Sequence, residues 1–148
     1  MIASHPEPFS LILIEDDEGH ARLIHKNLQR VGVLNSVERL KNGVEALAYF
    51  DRLQKQGDGH EKRVVVLDLN LPDIDGFALL RHLKGHAATR TIPVIVLTTT
   101  DDPGDIDRCY ALGCNVFMTK PVGYEAFSEA IRKLGLMLTV VRVPHVKE

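Results

Sequence analysis

The chain has 148 residues, of which 45% are hydrophobic and 26% charged, and its formal net charge is -2. At about 150 residues per domain, this length predicts one domain that can bury a core without disulfides or a structural metal. The 18 Lys and Arg against 20 Asp and Glu leave no basic excess for a nucleic-acid backbone. The chain has no apolar run of about 18 residues, no secretion signal and no cysteine framework, so we expect a cytoplasmic protein that binds neither nucleic acid nor membrane.

Five short apolar segments alternate with longer segments of helical periodicity. Strands are predicted at 9–14, 36–40, 64–67, 94–97 and 116–118. Apolar residues at helical spacing fall within 21–31, 44–54, 77–84, 106–112 and 124–134. This β-α order with nearly continuous apolar strands predicts an α/β fold, a doubly wound five-stranded parallel sheet covered on both faces.

Chemically active side chains follow four of the five predicted strands. They are Glu15, Asp16 and Asp17 after the first strand, Asp68 and Asn70 after the third, Thr98, Thr99 and Thr100 at the fourth, and Lys120 with Pro121 after the fifth. In an open α/β sheet, ligands bind outside the carboxyl ends of the strands. We therefore expect these side chains to meet at one edge of the sheet.

This set of residues suits a metal-assisted phosphoryl transfer. Two carboxylates about 4 Å apart repel by ~4 kcal/mol at an effective dielectric of 20, so such a cluster binds either a proton or a cation such as Mg²⁺. Lys120 provides a positive charge for a phosphoryl oxygen, and Thr98 provides a hydroxyl donor. That leaves Asp68 as a nucleophile that could become an aspartyl phosphate.

Five motifs in this order resemble those of the receiver domains of two-component response regulators. They are ILIEDD at 12–17, NGVEAL at 42–47, VVVLDLNLPDIDG at 64–76, VIVLTTT at 94–100 and NVFMTKP at 115–121. The resemblance covers roughly residues 9–135, and it implies the CheY-like strand order 2-1-3-4-5. The LDLNLP and VLTTT segments are most similar to regulators that are paired with phytochrome-type histidine kinases.

The resemblance implies a role for each acidic residue of the site. Asp68 would accept a phosphoryl group from a sensor histidine kinase, and the same resemblance implies a kinase of the phytochrome type. Asp16, Asp68 and the backbone carbonyl of Asn70 would bind Mg²⁺ or Mn²⁺ directly, and Glu15 would act through water. The protein would then be a phosphoacceptor switch rather than an enzyme with a separate substrate.

The resemblance also assigns the remaining positions of the site. Thr98 and Lys120 match the switch hydroxyl and the phosphate-pairing lysine, and Phe117 matches the switch aromatic. Asn70 and Thr100 occupy positions that modulate dephosphorylation. The peptide bond from Lys120 to Pro121 is usually cis in the family.

Several residues near these motifs are predicted to have structural roles only. Asp17 and Asp75 are candidate N-caps of the helices that follow them. His20 and His25 are interpreted as surface residues, since no histidine falls in a metal-ligand pattern. The cysteines are interpreted as small buried hydrophobic residues.

The two ends of the chain are predicted to lie outside the receiver domain. Residues 1–8 form an N-terminal extension. The fifth helix is expected to end near Gly135, and 136–148 then form an extended apolar arm. Such an arm needs a cover, which is either the chain's own helices or a second copy of the chain, and of the two we expect a homodimer through the arm. The residues predicted to form the dimer contact are Leu136, Leu138, Val140, Val141 and Val143.

The leading interpretation is a single-domain regulator whose signal leaves by contact with an unidentified downstream protein, because no output domain is predicted. Three alternatives stay open. A receiver-like binding module would work without phosphorylation. An aspartate-nucleophile phosphatase would need an acid where the chain has Asn70. A flavodoxin-like carrier would need a phosphate loop where the chain has Glu15 and Asp16.

Overall fold

A computed structural model describes residues 9–30, 34–57 and 61–139 of the chain. Its strands are β1 (Phe9–Ile14), β2 (Leu34–Leu40), β3 (Arg63–Leu67), β4 (Val94–Thr98) and β5 (Val116–Thr119). Its helices are α1 (Glu18–Gln29), α2 (Gly43–Gln56), α3 (Gly76–Lys84), α4 (Pro103–Leu112) and α5 (Tyr124–Leu138). All strand pairs are parallel and their order is β2-β1-β3-β4-β5, which confirms the predicted fold.

The apolar strands separate two hydrophobic cores because successive side chains of a strand point to opposite faces of the sheet. On β1, Ile12 and Ile14 join the core beneath α2, α3 and α4. Leu11 and Leu13 join the core beneath α1 and α5. Every residue of β1, β3 and β4 is buried, which explains why these strands are apolar except for Ser10, Arg63 and Thr98.

Side-chain caps start the helices at the edge of the sheet where the strands end. Asp17 accepts a hydrogen bond from His20 N, and Asp75 accepts one from Phe77 N, so both predicted caps are confirmed. Asn42 and Asp102 cap α2 and α4 in the same way. Both cysteines are buried and free, as predicted.

The predicted end of the fifth helix near Gly135 is wrong, because α5 continues to Leu138. Gly135 is buried within the helix, and Leu138 is 1% exposed in the core beneath α1 and α5. Burial of this face outweighs the low helix propensity of glycine, about 1 kcal/mol. Leu138 is thus a core residue rather than part of an arm, whereas Leu136 is 64% exposed.

One further prediction is wrong, one peptide bond differs from the form that is usual in the family, and two predicted segments concern residues that the structure does not describe. Val44 was expected on the apolar face of α2, but it is exposed, and Ala46 and Tyr49 are buried instead. The peptide bond between Lys120 and Pro121 is trans. The N-terminal extension 1–8 and the arm residues Val140, Val141 and Val143 lie outside the described residues.

Within the described parts of the chain, no helix has the length and apolar character needed to cross a membrane.

Candidate functional site

Four polar side chains are buried together at the carboxyl edge of the sheet. Glu15 follows β1 and is 2% exposed, Asp68 follows β3 and is 5% exposed, and Lys120 follows β5 and is 5% exposed. Thr98, the last residue of β4, is fully buried. Parallel pairing aligns the strand ends, and this alignment brings the four predicted residues to one place.

Lys120 is the central hydrogen-bond donor of this group. Its Nζ donates to Glu15 Oε1 at 2.5 Å and to Asp68 Oδ2 at 2.9 Å, and it lies 3.2 Å from His20 Nδ1. Burial alone would lower the pKa of Lys120, but the hydrogen bonds to Glu15 and Asp68 outweigh burial and raise it. The side chain therefore stays a cation between two carboxylates.

Glu15 is the carboxylate whose ionisation costs most in this structure. Burial raises its pKa from 4.5 to about 7, the hydrogen bond from Lys120 acts in the opposite direction, and the negative charge of Asp68 adds to the increase. Its second oxygen, Oε2, accepts a hydrogen bond from Asp17 N at 3.2 Å. A cation bound nearby would favour its charged form.

Three carboxylates form a cluster that fits a divalent cation. Oxygen atoms of Glu15, Asp16 and Asp68 lie within 4.8 Å of one another. Asp16 is exposed while the other two are buried, so the cluster opens to solvent on one side. Hard oxygen donors and an open side for water or phosphoryl oxygens are what Mg²⁺ prefers. The proposed fourth donor, the carbonyl of Asn70, stays a prediction.

Asn70 links the phosphoacceptor candidate to the threonines of β4. Its backbone N donates to Asp68 Oδ1 at 3.0 Å. Its side-chain amide donates to Thr98 Oγ1 at 3.1 Å and to Thr99 Oγ1 at 3.0 Å. The Thr98 hydroxyl still has its own proton to donate, so it remains available to a group bound at Asp68.

The other two predicted site residues lie further from Asp68. Thr100 donates from Oγ1 to Asp105 Oδ2 at 3.2 Å, so its hydroxyl is engaged at the start of α4. Phe117 is half-buried on β5 and packs against the core beneath α4. Its backbone N donates to the phenol oxygen of Tyr110 at 3.0 Å, which joins the edge strand to α4.

Sequence reasoning missed Arg39, which fixes the backbone of the acidic residues. From the end of β2, its Nε donates to the carbonyl oxygen of Glu15 at 3.0 Å, and Nη2 donates to that of Asp16 at 3.1 Å. Its Nη1 pairs with Glu18 Oε1 at 2.7 Å. The signal available in the sequence was that β1 and β2 end next to each other. That adjacency does not reveal that an arginine will bond to backbone carbonyl oxygens.

Comparison with known proteins identifies the class of protein. The response regulator receiver domain family matches residues 11–132. The chain therefore belongs to this family, as its motifs predicted, and it is a receiver-domain response regulator of two-component signalling. Receiver domains are phosphoacceptor switch domains that histidine kinases phosphorylate and that bind a divalent metal.

Individual proteins support the same assignment. A response regulator receiver domain from Rhodospirillum rubrum is 47% identical, with a TM-score of 0.88 over 94% of this chain and 99% of that one. A phosphorylated cyanobacterial phytochrome response regulator, RcpA, is 28% identical, with a TM-score of 0.83 over 93% and 99% of the two chains. The Mn²⁺-bound response regulator Rcp1 has 28% identity, a TM-score of 0.78 and the same coverage. The probable methanogenesis regulatory protein FilR2 of Methanothrix harundinacea is 36% identical over 86% of this chain and 82% of that protein.

Proposed function

We propose that Asp68 of this chain is the residue that accepts a phosphoryl group from a histidine kinase. The observation that carries the proposal is the placement of Asp68 Oδ2 at 2.9 Å from the buried ammonium of Lys120, beside the carboxylates of Glu15 and Asp16. A carboxylate that contacts a buried cation and belongs to an acidic cluster able to hold a metal suits a nucleophile that acquires phosphoryl charge.

The proposed transfer has a simple atom balance. A carboxylate oxygen of Asp68 attacks the phosphorus of a phosphohistidine, a P–O bond forms, and the P–N bond breaks with its electron pair returning to the imidazole. The Lys120 ammonium pairs with one phosphoryl oxygen, and the Thr98 hydroxyl donates a hydrogen bond to another. Asp16, Asp68 and the Asn70 carbonyl would hold Mg²⁺ or Mn²⁺ directly and Glu15 would do so through water, and the bound metal would neutralise phosphoryl charge.

Phosphorylation would then change the surface formed by α4, β5 and α5. Rotation of Thr98 toward the phosphoryl group requires its oxygen to leave the Asn70 amide, to which it is now bonded at 3.1 Å. The half-buried ring of Phe117 could fill the space that Thr98 vacates. Asn70 and Thr100, which follow Asp68 and Thr98 by two positions in the sequence, would modulate hydrolysis of the acyl phosphate.

The kinase and the assembly are also part of the proposal. Similarity to RcpA favours a phytochrome-type kinase as the phosphoryl donor. The signal would leave through contact with a downstream protein rather than through an activity on a separate substrate. We further propose that Val140, Val141 and Val143, together with the exposed Leu136, form a homodimer contact.

Intact-protein mass spectrometry after treatment with acetyl phosphate tests the central claim. The expected result is an adduct of one phosphoryl group on the wild type in the presence of Mg²⁺, absent when EDTA replaces the metal. Asp68→Asn should show no adduct. Asp101→Asn, which changes an exposed aspartate after β4, is the matched control and should be phosphorylated normally.

An adduct that persists in Asp68→Asn would contradict the proposal. So would the absence of an adduct on folded wild-type protein both with acetyl phosphate and with a phosphorylated phytochrome-type kinase. A phosphorylation-independent binding module would then be the better interpretation.

A further inference from the structure

His20 lies beside the site, although none of the roles described above uses it. Its Nδ1 is 3.2 Å from Lys120 Nζ, 100 positions away in sequence. Its ring packs against Phe127 of α5, with 5.0 Å between the ring centroids. The side chain is 39% exposed, so the imidazole has one edge toward the buried lysine and another toward solvent.

The number of hydrogen bonds that Lys120 can donate indicates a role for His20 as an acceptor. A lysine ammonium has three N–H donors and no acceptor. Glu15 and Asp68 take two of these donors, and His20 Nδ1 is placed to take the third. Because Lys120 can only donate, Nδ1 must be unprotonated, and a neutral His20 must carry its proton on Nε2.

We propose that His20 is a positioning residue that holds the Lys120 ammonium by accepting its third hydrogen bond. The inference rests on the proposed function, in which Lys120 pairs with the phosphoryl oxygen of Asp68. Two carboxylates satisfy two of the three N–H groups of the ammonium, and a third acceptor adds a further restraint on the position of Nζ. A third acceptor fixes the direction in which Nζ faces Asp68, and such preorganisation assists in-line transfer.

The surroundings of His20 limit the pH range in which it can act. Asp17 Oδ2 lies 4.0 Å from the same Nδ1, and a surface cavity beside the ring is lined by Arg22 and Lys26 of α1. From α5 the ring meets Phe127, and Tyr124 also lines the cavity. A protonated His20 would lose its acceptor and place two cations in contact. We therefore expect His20 to hold Lys120 only at a pH where the imidazole is neutral.

Nuclear magnetic resonance of ¹⁵N-labelled, metal-free protein tests the contact without any phosphorylation. At pH 8 we expect His20 to be the Nε2–H tautomer, and its Nδ1 resonance should move when Lys120 is changed to Met. His82 is the internal control because its side chain is also 39% exposed but faces Asp51. An Nδ1–H tautomer, or an Nδ1 resonance unaffected by Lys120→Met, would overturn the proposal.

Two substitutions test the consequence for phosphorylation by acetyl phosphate with Mg²⁺. His20→Leu removes the acceptor and should slow the reaction about three- to tenfold, the range expected for one hydrogen bond. His20→Asn keeps an acceptor at the position of Nδ1 and should react like the wild type at pH 8. His82→Leu, the matched control, should leave the rate unchanged.

The pH profile separates a positioning role from a merely structural one. As the pH falls through the imidazole titration observed by resonance, the wild-type rate should fall relative to that of His20→Asn, whose amide does not titrate. Equal rates for His20→Leu and the wild type, or a constant wild-type to Asn ratio, would overturn the role in phosphorylation. If the wild type accepts no phosphoryl group, the proposed function fails, while the resonance data still decide the contact with Lys120.

Discussion

Lys120 Nζ donates a hydrogen bond to Asp68 Oδ2 at 2.9 Å, and the two residues are 52 positions apart in sequence. The bond crosses from the end of β5 to the end of β3 and passes over β4, so it depends on the order of strands in the sheet. Glu15 completes the arrangement at 2.5 Å from the same ammonium. One cation thus balances two buried carboxylates, and this balance has consequences for stability.

Lys120→Met is expected to destabilise the metal-free protein more at pH 8 than at pH 5.5. The pKa of Glu15 is about 7 in the folded protein, against its ordinary value of 4.5. Between these two values Glu15 keeps its proton in the folded state and loses it in the unfolded state, so the free energy of unfolding falls as the pH rises. Lys120→Met removes the hydrogen bond that lowers the pKa of Glu15. The charged form of Glu15 then costs more free energy in the folded state. Breaking a buried ion pair costs about 3 kcal/mol, and we expect that loss above pH 7.

Urea denaturation in EDTA at the two pH values measures this difference. Lys55→Met, which changes an exposed lysine in the last turn of α2, is the control and should show no pH-dependent loss. A Lys120→Met protein with the same loss of stability at both pH values would contradict the expected role of Glu15.

Arg39 should determine how tightly the acidic cluster binds a divalent cation. Its guanidinium bonds to the carbonyl oxygens of Glu15 and Asp16 and thereby fixes the segment that presents both carboxylates. Arg39→Gln should weaken Mg²⁺ binding about three- to tenfold, because each lost hydrogen bond is worth about 0.5–1.5 kcal/mol. The positive charge that is lost with Arg39 is already partly compensated by Glu18. Isothermal titration calorimetry with Mg²⁺ measures the affinity.

Arg132→Gln is the control for the removal of a positive charge. Arg132 lies on α5, is 67% exposed and pairs with Glu129 on its own helix. If both substitutions reduced Mg²⁺ affinity equally, net charge rather than positioning by Arg39 would explain the effect.

The four site residues that sequence reasoning brought together share one property, which is that each lies at or just after the carboxyl end of a strand. Asp16, Asp68, Thr98 and Lys120 could be placed together because parallel strands end at a common edge. His20 could not be placed in this way. It lies one helical turn beyond Asp16, and whether that turn faces Lys120 depends on how α1 and α5 pack.

The errors in the predicted fold also have tertiary causes. Gly135 was expected to end α5, but a buried helix face extends to Leu138 and overrides local propensity. Val44 fits the apolar period of α2 but is exposed, whereas Gly43 and Ala46 in the same turn are buried. Both predictions were wrong because packing against other elements, rather than the local pattern, decided the outcome.

Gly76→Ala should destabilise the protein by about 1–3 kcal/mol, the usual cost of overpacking. A Cβ at this position would lie 2.4 Å from Leu69 Cα and 2.7 Å from the Leu69 carbonyl oxygen. Leu69 directly follows Asp68, so relief of the clash would also move the proposed phosphoacceptor. Thermal unfolding measures the loss, and the rate of phosphorylation by acetyl phosphate should fall with it.

Gly104→Ala provides the comparison in the first turn of α4. A Cβ there would meet only Asp102 Oδ2, a side-chain atom, at 3.1 Å. This variant should unfold within about 0.5 kcal/mol of the wild type, as most surface substitutions do. A Gly76→Ala protein as stable as Gly104→Ala would show that the segment after β3 can move without cost.

Removal of residues 140–148 should convert a dimer into a monomer without loss of stability, if the proposed arm contact is correct. The truncation must begin after Thr139, because Leu138 is 1% exposed in the core and its loss removes core packing. Leu138→Ala is accordingly expected to cost about 2–5 kcal/mol. Sedimentation equilibrium gives the mass of each species, and urea denaturation gives its stability.

A full-length variant with Val140, Val141 and Val143 changed to Ser separates the apolar side chains from the length of the segment. It should sediment as a monomer, because the apolar area that would be buried between two copies is lost. Leu136→Ser should weaken the dimer without unfolding the protein, since this side chain is 64% exposed on α5. A truncated chain that still sediments as a dimer would assign the contact to the described domain instead, and the surface of α4, β5 and α5 would be the next place to mutate.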